Sequence, residues 1–172
     1  EERKILREIG VKFGRYHVYL FKLIKPEAVK LRTLLWKNYH QKYFNLKPPT
    51  FGLNFIEDKN KRNQNFMLLC GFEKFDNSYV RIDILERLFM LIINTDTDQD
   101  KEIKLVPEML NLLGCNKENF VNLIKKMNYK IIEKENDTYF KYNPMKKRKN
   151  VNKKIITKEN PFNVIRNLNL NN

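Results

Sequence analysis

VRIDILERLFMLII (80–93) begins a series of signals that continues to Tyr142 and decides how this chain is organised. Its apolar spacing predicts a helix over Ile82–Ile93. After an acidic loop comes a short strand candidate, EIKL (Glu102–Leu105). Pro107 then opens a short helix, PEMLNLL, that Gly114 closes. Proline at a first helical position loses only an N–H that would be unpaired anyway, and glycine accepts the left-handed conformation that stops a helix. Asn116 caps the next helix, KENFVNLIKKM (117–127), because its side-chain oxygen can accept from the first orphan N–H groups. Phe120, Leu123, Ile124 and Met127 form one apolar stripe on that helix. Lys117, Asn122, Lys125 and Lys126 occupy much of its remaining surface. YKIIEKE and TYFKY follow as two strands turning at Asn136–Asp137. Helix, strand, helix, turn, helix, hairpin is the order of a winged helix-turn-helix.

The expected fold class is therefore mainly α with small β-hairpins (α+β), a winged-helix-like module in the second half and a basic disordered tail. Four regions are expected. Residues 1–44 form an amino-terminal helical and strand segment, 45–62 a loop or linker, 63–143 the module, and 144–172 the tail.

The 172 residues carry a formal net charge of +14, which favours a polyanionic partner. Two cysteines, Cys70 and Cys115, stand outside any CxxC or Cys/His cluster, which suits a reducing, cytoplasmic setting. The longest apolar run, LFMLII, is too short to span a bilayer, so no membrane partner is expected. The chain starts at Glu1 without methionine and reads as a piece of something longer.

In the amino-terminal region, EERKILREI (1–9) is a charged helix candidate ended by Gly10. Gly10 and Gly14 read as turn glycines, since the GK[ST] ending of a phosphate-binding loop is absent. KPEAVKLRTLLWKNYHQKY (25–43) is the longest helix candidate. Ala28, Leu31, Leu35 and Tyr39 line one side, widened by Val29, Trp36 and Tyr43. Trp36 reads as a packing residue rather than a base-stacking platform. NQNFMLLC (63–70) is a short helix stopped by Gly71, and FEKFDNSYVRI reads as a further hairpin around Asp76–Asn77. The acidic residues 96–100 lack the Gly and Glu of a calcium loop and read as solvated.

After Pro144 the composition changes. MKKRKNVNKKIITK (145–158) holds seven basic residues and no acid, and cannot bury a core. Lys146, Lys147, Arg148 and Lys149 belong either to a polybasic arm for phosphates or to a solubilising linker. Phe162, Ile165 and Leu168 form a short apolar stripe that reads as a docking peptide. No catalytic constellation can be placed. His17 and His40 lack a ligand or triad partner at a suitable spacing, and Asp83 and Glu86 read as acids on a solvated helix face. No metal site is expected.

Four ordered segments carry a resemblance: GVKFGRYHVYL (10–20), KPEAVKLRTLLW (25–36), VRIDILERL (80–88) and LLGCNKENFVNLIKKMNY (112–129). They resemble the carboxy-terminal region of alphaproteobacterial superfamily-two ATP-dependent helicases, relatives of the mitochondrial RNA-degradosome helicase. Phe21 stands where that pattern has proline, and Asn128 where it has glycine. The resemblance implies ATP and magnesium for the parent protein only, since no nucleotide-binding motif lies in this sequence and no cofactor is expected on it. It also implies the parent's motor domains as a partner, together with nucleic acid, RNA first. The expected function is an accessory module that holds RNA beside the motor through phosphate contacts. Lys117, Lys125, Lys126, Lys134 and Lys141 would carry these contacts with the tail cations. The rival reading is a protein-interaction module that docks the helicase to a partner such as an exonuclease.

Overall fold

The computed structural model describes residues 1–59, 61–95, 101–134 and 137–144. The acidic loop 96–100, the hairpin residues 135–136 and the tail from 145 lie outside the described residues. So do the expectations placed on the tail: Lys146, Lys147, Arg148, Lys149, Phe162, Ile165 and Leu168.

The amino-terminal helix α1 (Glu2–Glu8) leads into a two-stranded hairpin, β1 (Val11–Phe13) and β2 (Val18–Leu20). A 3-10 turn, Phe21–Ile24, precedes α2 (Pro26–Tyr39), which has its proline in the first turn. Strand β3 (Phe55–Glu57), helix α3 (Gln64–Leu69), β4 (Phe72–Phe75) and β5 (Ser78–Arg81) follow. They build an antiparallel sheet ordered β3-β5-β4. The β4–β5 hairpin turns at Asp76–Asn77, with Asp76 in the left-handed region at φ 52°. The stretch 45–62, expected as a linker, therefore supplies an edge strand, with Phe55 paired to Val80 and Ile56 to Tyr79.

Alternation along β5 divides the packing in two. Successive strand residues point to opposite faces, so Tyr79 and Val80, both fully buried, enter different cores. Tyr79 joins Val29, Ile56, Phe66, Met67, Cys70 and Phe72 beneath α2 and α3. Val80 joins the larger core of the second half. The central sheet is thus a shared layer, and the amino-terminal core runs through the expected linker to the middle of β5.

Beyond β5 the chain enters α4 (Ile82–Asn94) without a loop. Then come β6 (Ile103–Lys104), α5 (Pro107–Leu113), α6 (Lys117–Lys126), β7 (Tyr129–Lys134) and β8 (Asp137–Tyr142). Gly114 ends α5 at φ 69°, and the Asn116 side chain accepts from the Asn119 N–H at 2.8 Å. Leu85, Leu88, Phe89 and Ile92 of α4 meet Met109, Leu113, Phe120, Leu123, Ile124 and Phe140. The last sheet is ordered β6-β8-β7. The architecture is α+β with small antiparallel sheets.

The final hairpin is displaced from the expected turn. Lys134 pairs with Asp137, so Asp137 belongs to the strand and residues 135–136 make the connection. This register sets Ile131 opposite Phe140, with both side chains on the core side. A turn at Asn136–Asp137 would instead put Glu133 opposite Phe140. Burial decides register where one sheet face is covered.

Asn128 joins α6 to β7 at φ 66°, a conformation glycine adopts freely and other residues adopt at a cost of about 1–2 kcal/mol. Asparagine tolerates it better than most. We expect Asn128→Val to lower stability by about 1–2 kcal/mol and Asn128→Gly to leave it unchanged or slightly raised. Urea denaturation of the two variants checks this, and equal midpoints would refute it.

Candidate nucleic-acid interface

Residues 130, 132 and 134 of β7 project to one side of the last sheet, and their partners 141, 139 and 137 share that side. The opposite side carries Ile103, Ile131 and Phe140 into the core. The solvent side therefore gathers Lys130, Lys134 and Lys141. It also gathers Lys104, whose register partner is Tyr139. Tyr139 and Ile132, both half-buried, lie among these cations. The Lys134 ammonium sits 5.6 Å from the centre of the Tyr139 ring.

Two of these lysines are engaged. Lys134 reaches the buried Glu102 carboxylate at 2.6 Å, and Lys104 bonds Asp137. That hydrogen bond holds the Lys104 ammonium above its usual pKa range. Lys130 and Lys141 face each other directly across the strands, and neither has an acidic partner among the described residues. Like charges in that position destabilise a strand pair. An incoming anion would relieve the repulsion.

The cations expected on α6 lie apart from this face, because α6 covers the sheet's other side with Phe120, Leu123 and Ile124. Lys117 and Lys125 are exposed, and Lys126 makes a surface ion pair with Asp76 at 3.0 Å. The two groups approach at the open edge of β7, where Lys125 and Lys130 border one groove with Tyr129 and Ile131. Of the expected cations, Lys134 and Lys141 lie on the sheet face and Lys117, Lys125 and Lys126 on α6, with Lys125 alone reaching the edge where Lys130 stands. Lys104, Lys130 and Tyr139 were not among the expected residues; alternation along β7 and β8 could have found Lys130 and Tyr139 only with the register known, and Lys104 joins them from β6.

A second cluster is structural. Glu86, expected on a solvated face, is 6 % exposed. Its carboxylate accepts from the N–H groups of Arg15, Tyr16 and His17 at 2.6, 3.0 and 2.8 Å. His17 Nδ1 lies 3.0 Å from Glu86 Oε1, and its Nε2 is 3.6 Å from Glu73. A Cβ on Gly14 would fall inside the Glu86 carboxylate, so Gly14 is glycine for space. Tyr16 stacks on Phe89 with ring centres 4.2 Å apart. Asp83, also buried, takes two hydrogen bonds from Arg81 at 2.6 and 2.9 Å. Glu86 therefore pins the β1–β2 hairpin to α4, and Asp83 holds the Arg81 side chain where β5 passes into α4.

The packed side of α2 also differs from expectation. Val29 and Thr33 are buried, with the Thr33 hydroxyl donating to the Val29 carbonyl at 2.8 Å. Trp36 packs on Phe66 with ring centres 5.4 Å apart. Leu31, Leu34, Leu35 and Tyr39 are 58, 53, 59 and 83 % exposed. The helix is apolar on two sides, and only one can meet the central sheet.

Both cysteine thiols are pushed up to about 11 by burial, which makes them poor nucleophiles near neutral pH. Among the described residues, no group of three or more His, Cys, Asp or Glu side chains is placed to hold a metal ion. No described helix is long and apolar enough to cross a membrane. No protein-family model, curated protein or solved structure matches this chain.

Proposed function

We propose that this chain is an accessory nucleic-acid-binding module of an ATP-dependent helicase. It holds RNA beside the motor through phosphate contacts, with α4, β6, α5, α6, β7 and β8 acting as a winged-helix-like unit. The observation that carries the reading is the facing pair Lys130 and Lys141 on the solvent side of the last sheet. Lys104, Lys134 and Tyr139 surround it, and Lys125 extends it past the edge of β7. Lysines in this arrangement neutralise phosphates and release counterions, giving salt-sensitive, sequence-tolerant binding. Tyr139 adds a ring on which a base can stack. ATP and magnesium would belong to the parent's motor, and a cytoplasmic setting accompanies this reading.

The exposed face of α2 supports a second role, docking. Leu31, Leu34, Leu35 and Tyr39 form an apolar stripe suited to a protein partner, either the parent's motor domains or an exonuclease. This stripe and the basic sheet face are separate, so both roles can coexist.

The test is a titration of the chain with labelled single-stranded and duplex RNA at several salt concentrations, beside a version ending at Pro144. We expect binding that weakens steeply with salt and survives loss of the tail. Binding that vanishes with the tail would reduce the function to a polybasic arm. Absence of binding by both versions would leave only the docking role.

A further inference from the structure

Between α6 and the central sheet lies a cleft of about 280 Å³ that shares only Lys125 with the phosphate contacts above. Its apolar surface comes from Phe55 of β3, Phe75 of β4 and Leu123 of α6. Both phenylalanines are half-buried, packed at one end against the larger core. Asn77 of the β4–β5 turn and Asn122 of α6 are exposed on its walls, and their side chains have no hydrogen-bond partner among the described residues. Two polar bridges span it. The Asn119 amide donates to Glu57 at 2.8 Å, and Lys126 pairs with Asp76 at 3.0 Å. The Asn119 bond, with help from Lys59, holds the Glu57 carboxyl below the usual carboxylate range.

We propose that this cleft takes one unstacked nucleotide of a bound single-stranded RNA, with the base inside and its phosphate at the lysine rim. The inference rests on the nucleic-acid reading above and adds a site to it. Three features select a base. Aromatic and apolar walls suit its faces, whereas they would strip a phosphate of water without compensation. Amide side chains both donate and accept, which matches the mixed edge of a base. Glu57 would repel an anion inside the cleft and Asp76 already occupies Lys126, while Lys125, exposed and without an acidic partner among the described residues, borders the cleft for a backbone phosphate. The volume falls just under the range of about 300–1,000 Å³ for drug-sized ligands, which suits one base better than two. Continuity comes from Lys125, which borders both this cleft and the groove along β7 that holds Lys130. A strand crossing the sheet face can therefore pass Lys130 and Lys125 and place its next base here.

The experiment uses the full chain and labelled oligouridylate and oligoadenylate. Phe75→Leu should weaken binding by about fivefold or more, the low end for losing one stacked base, and Asn122→Ala, an exposed change that leaves the core alone, by about two- to tenfold for one lost hydrogen bond. Their salt slopes should match that of the unsubstituted chain, since every phosphate-binding lysine is kept. Side-chain amide NMR signals of Asn77 and Asn122 should shift with uridine or adenosine monophosphate and stay in place with inorganic phosphate. Unchanged affinity in both variants, while the unsubstituted chain binds RNA in a salt-dependent way, would overturn the cleft and leave the sheet face standing. Equal shifts with phosphate alone would also overturn it. If the unsubstituted chain binds no RNA, the cleft and the sheet face fall together.

Discussion

Replacing Glu86 with alanine should lower the thermal midpoint by about 6–12 °C, which corresponds to a loss of roughly 3 kcal/mol at this chain length. The Glu86 carboxylate is the acceptor for three consecutive backbone N–H groups, Arg15 to His17, and lies against the His17 ring. Removing it orphans those donors and releases the hairpin from α4. Part of the loss is recovered because the loop can rehydrate, which keeps the expected value near the cost of one or two fully buried groups. Gly14→Ala should give a loss of similar size for the reciprocal reason, since its new methyl would occupy the space of the carboxylate. The two changes should not add. Once Glu86 is alanine, the Gly14 methyl has room, so the double variant should be little worse than Glu86→Ala alone, with a coupling of at least about 1 kcal/mol. Circular dichroism melts of the three variants measure all of this. Additive losses, or a shift of under about 2 °C for Glu86→Ala, would refute the anchoring role.

Changing Lys125, Lys130 and Lys141 together to alanine should reduce the slope of log affinity against log salt by about 2, at roughly 0.7 for each single-strand phosphate left without its lysine. None of the three has an acidic partner among the described residues, so their removal strands no buried carboxylate. Lys134 is a poorer test, because its loss would leave the buried Glu102 uncompensated and confuse binding with stability. Stability should hold or rise slightly, since the repulsion between Lys130 and Lys141 disappears. Anisotropy titrations between low and moderate salt provide the readout. A slope equal to that of the unsubstituted chain would remove the sheet face from the interface. A reduced slope with an unchanged melting curve would separate binding from folding.

Local chemistry made much of the second half legible. Pro107, Gly114 and Asn116 set the bounds of α5 and α6 through groups within a few residues of each other. The stripe Phe120, Leu123, Ile124 and Met127 identified the buried side of α6, because a helix with one apolar face has only one way to pack. The site was half legible. Lys125 and Lys141 could be named as exposed or strand cations. Their grouping with Lys130 and Lys104 depended on strand register, which the turn residues alone did not specify.

By itself the sequence determined the order of elements from α4 to β8, the caps of α5 and α6, the net charge of +14 and the apolar face of α6, all short-range or additive properties. Tertiary structure decided matters that need a partner distant in the chain. Glu86 is buried only because Gly14–His17 arrive to satisfy its charge, and an ionised group without such partners would have stayed in water. The side of α2 that packs was chosen by the central sheet, leaving Leu31, Leu34, Leu35 and Tyr39 outside. The facing of Lys130 and Lys141 followed from Ile131 and Phe140 entering the core together, since burying that pair settles the register of every other residue on the two strands.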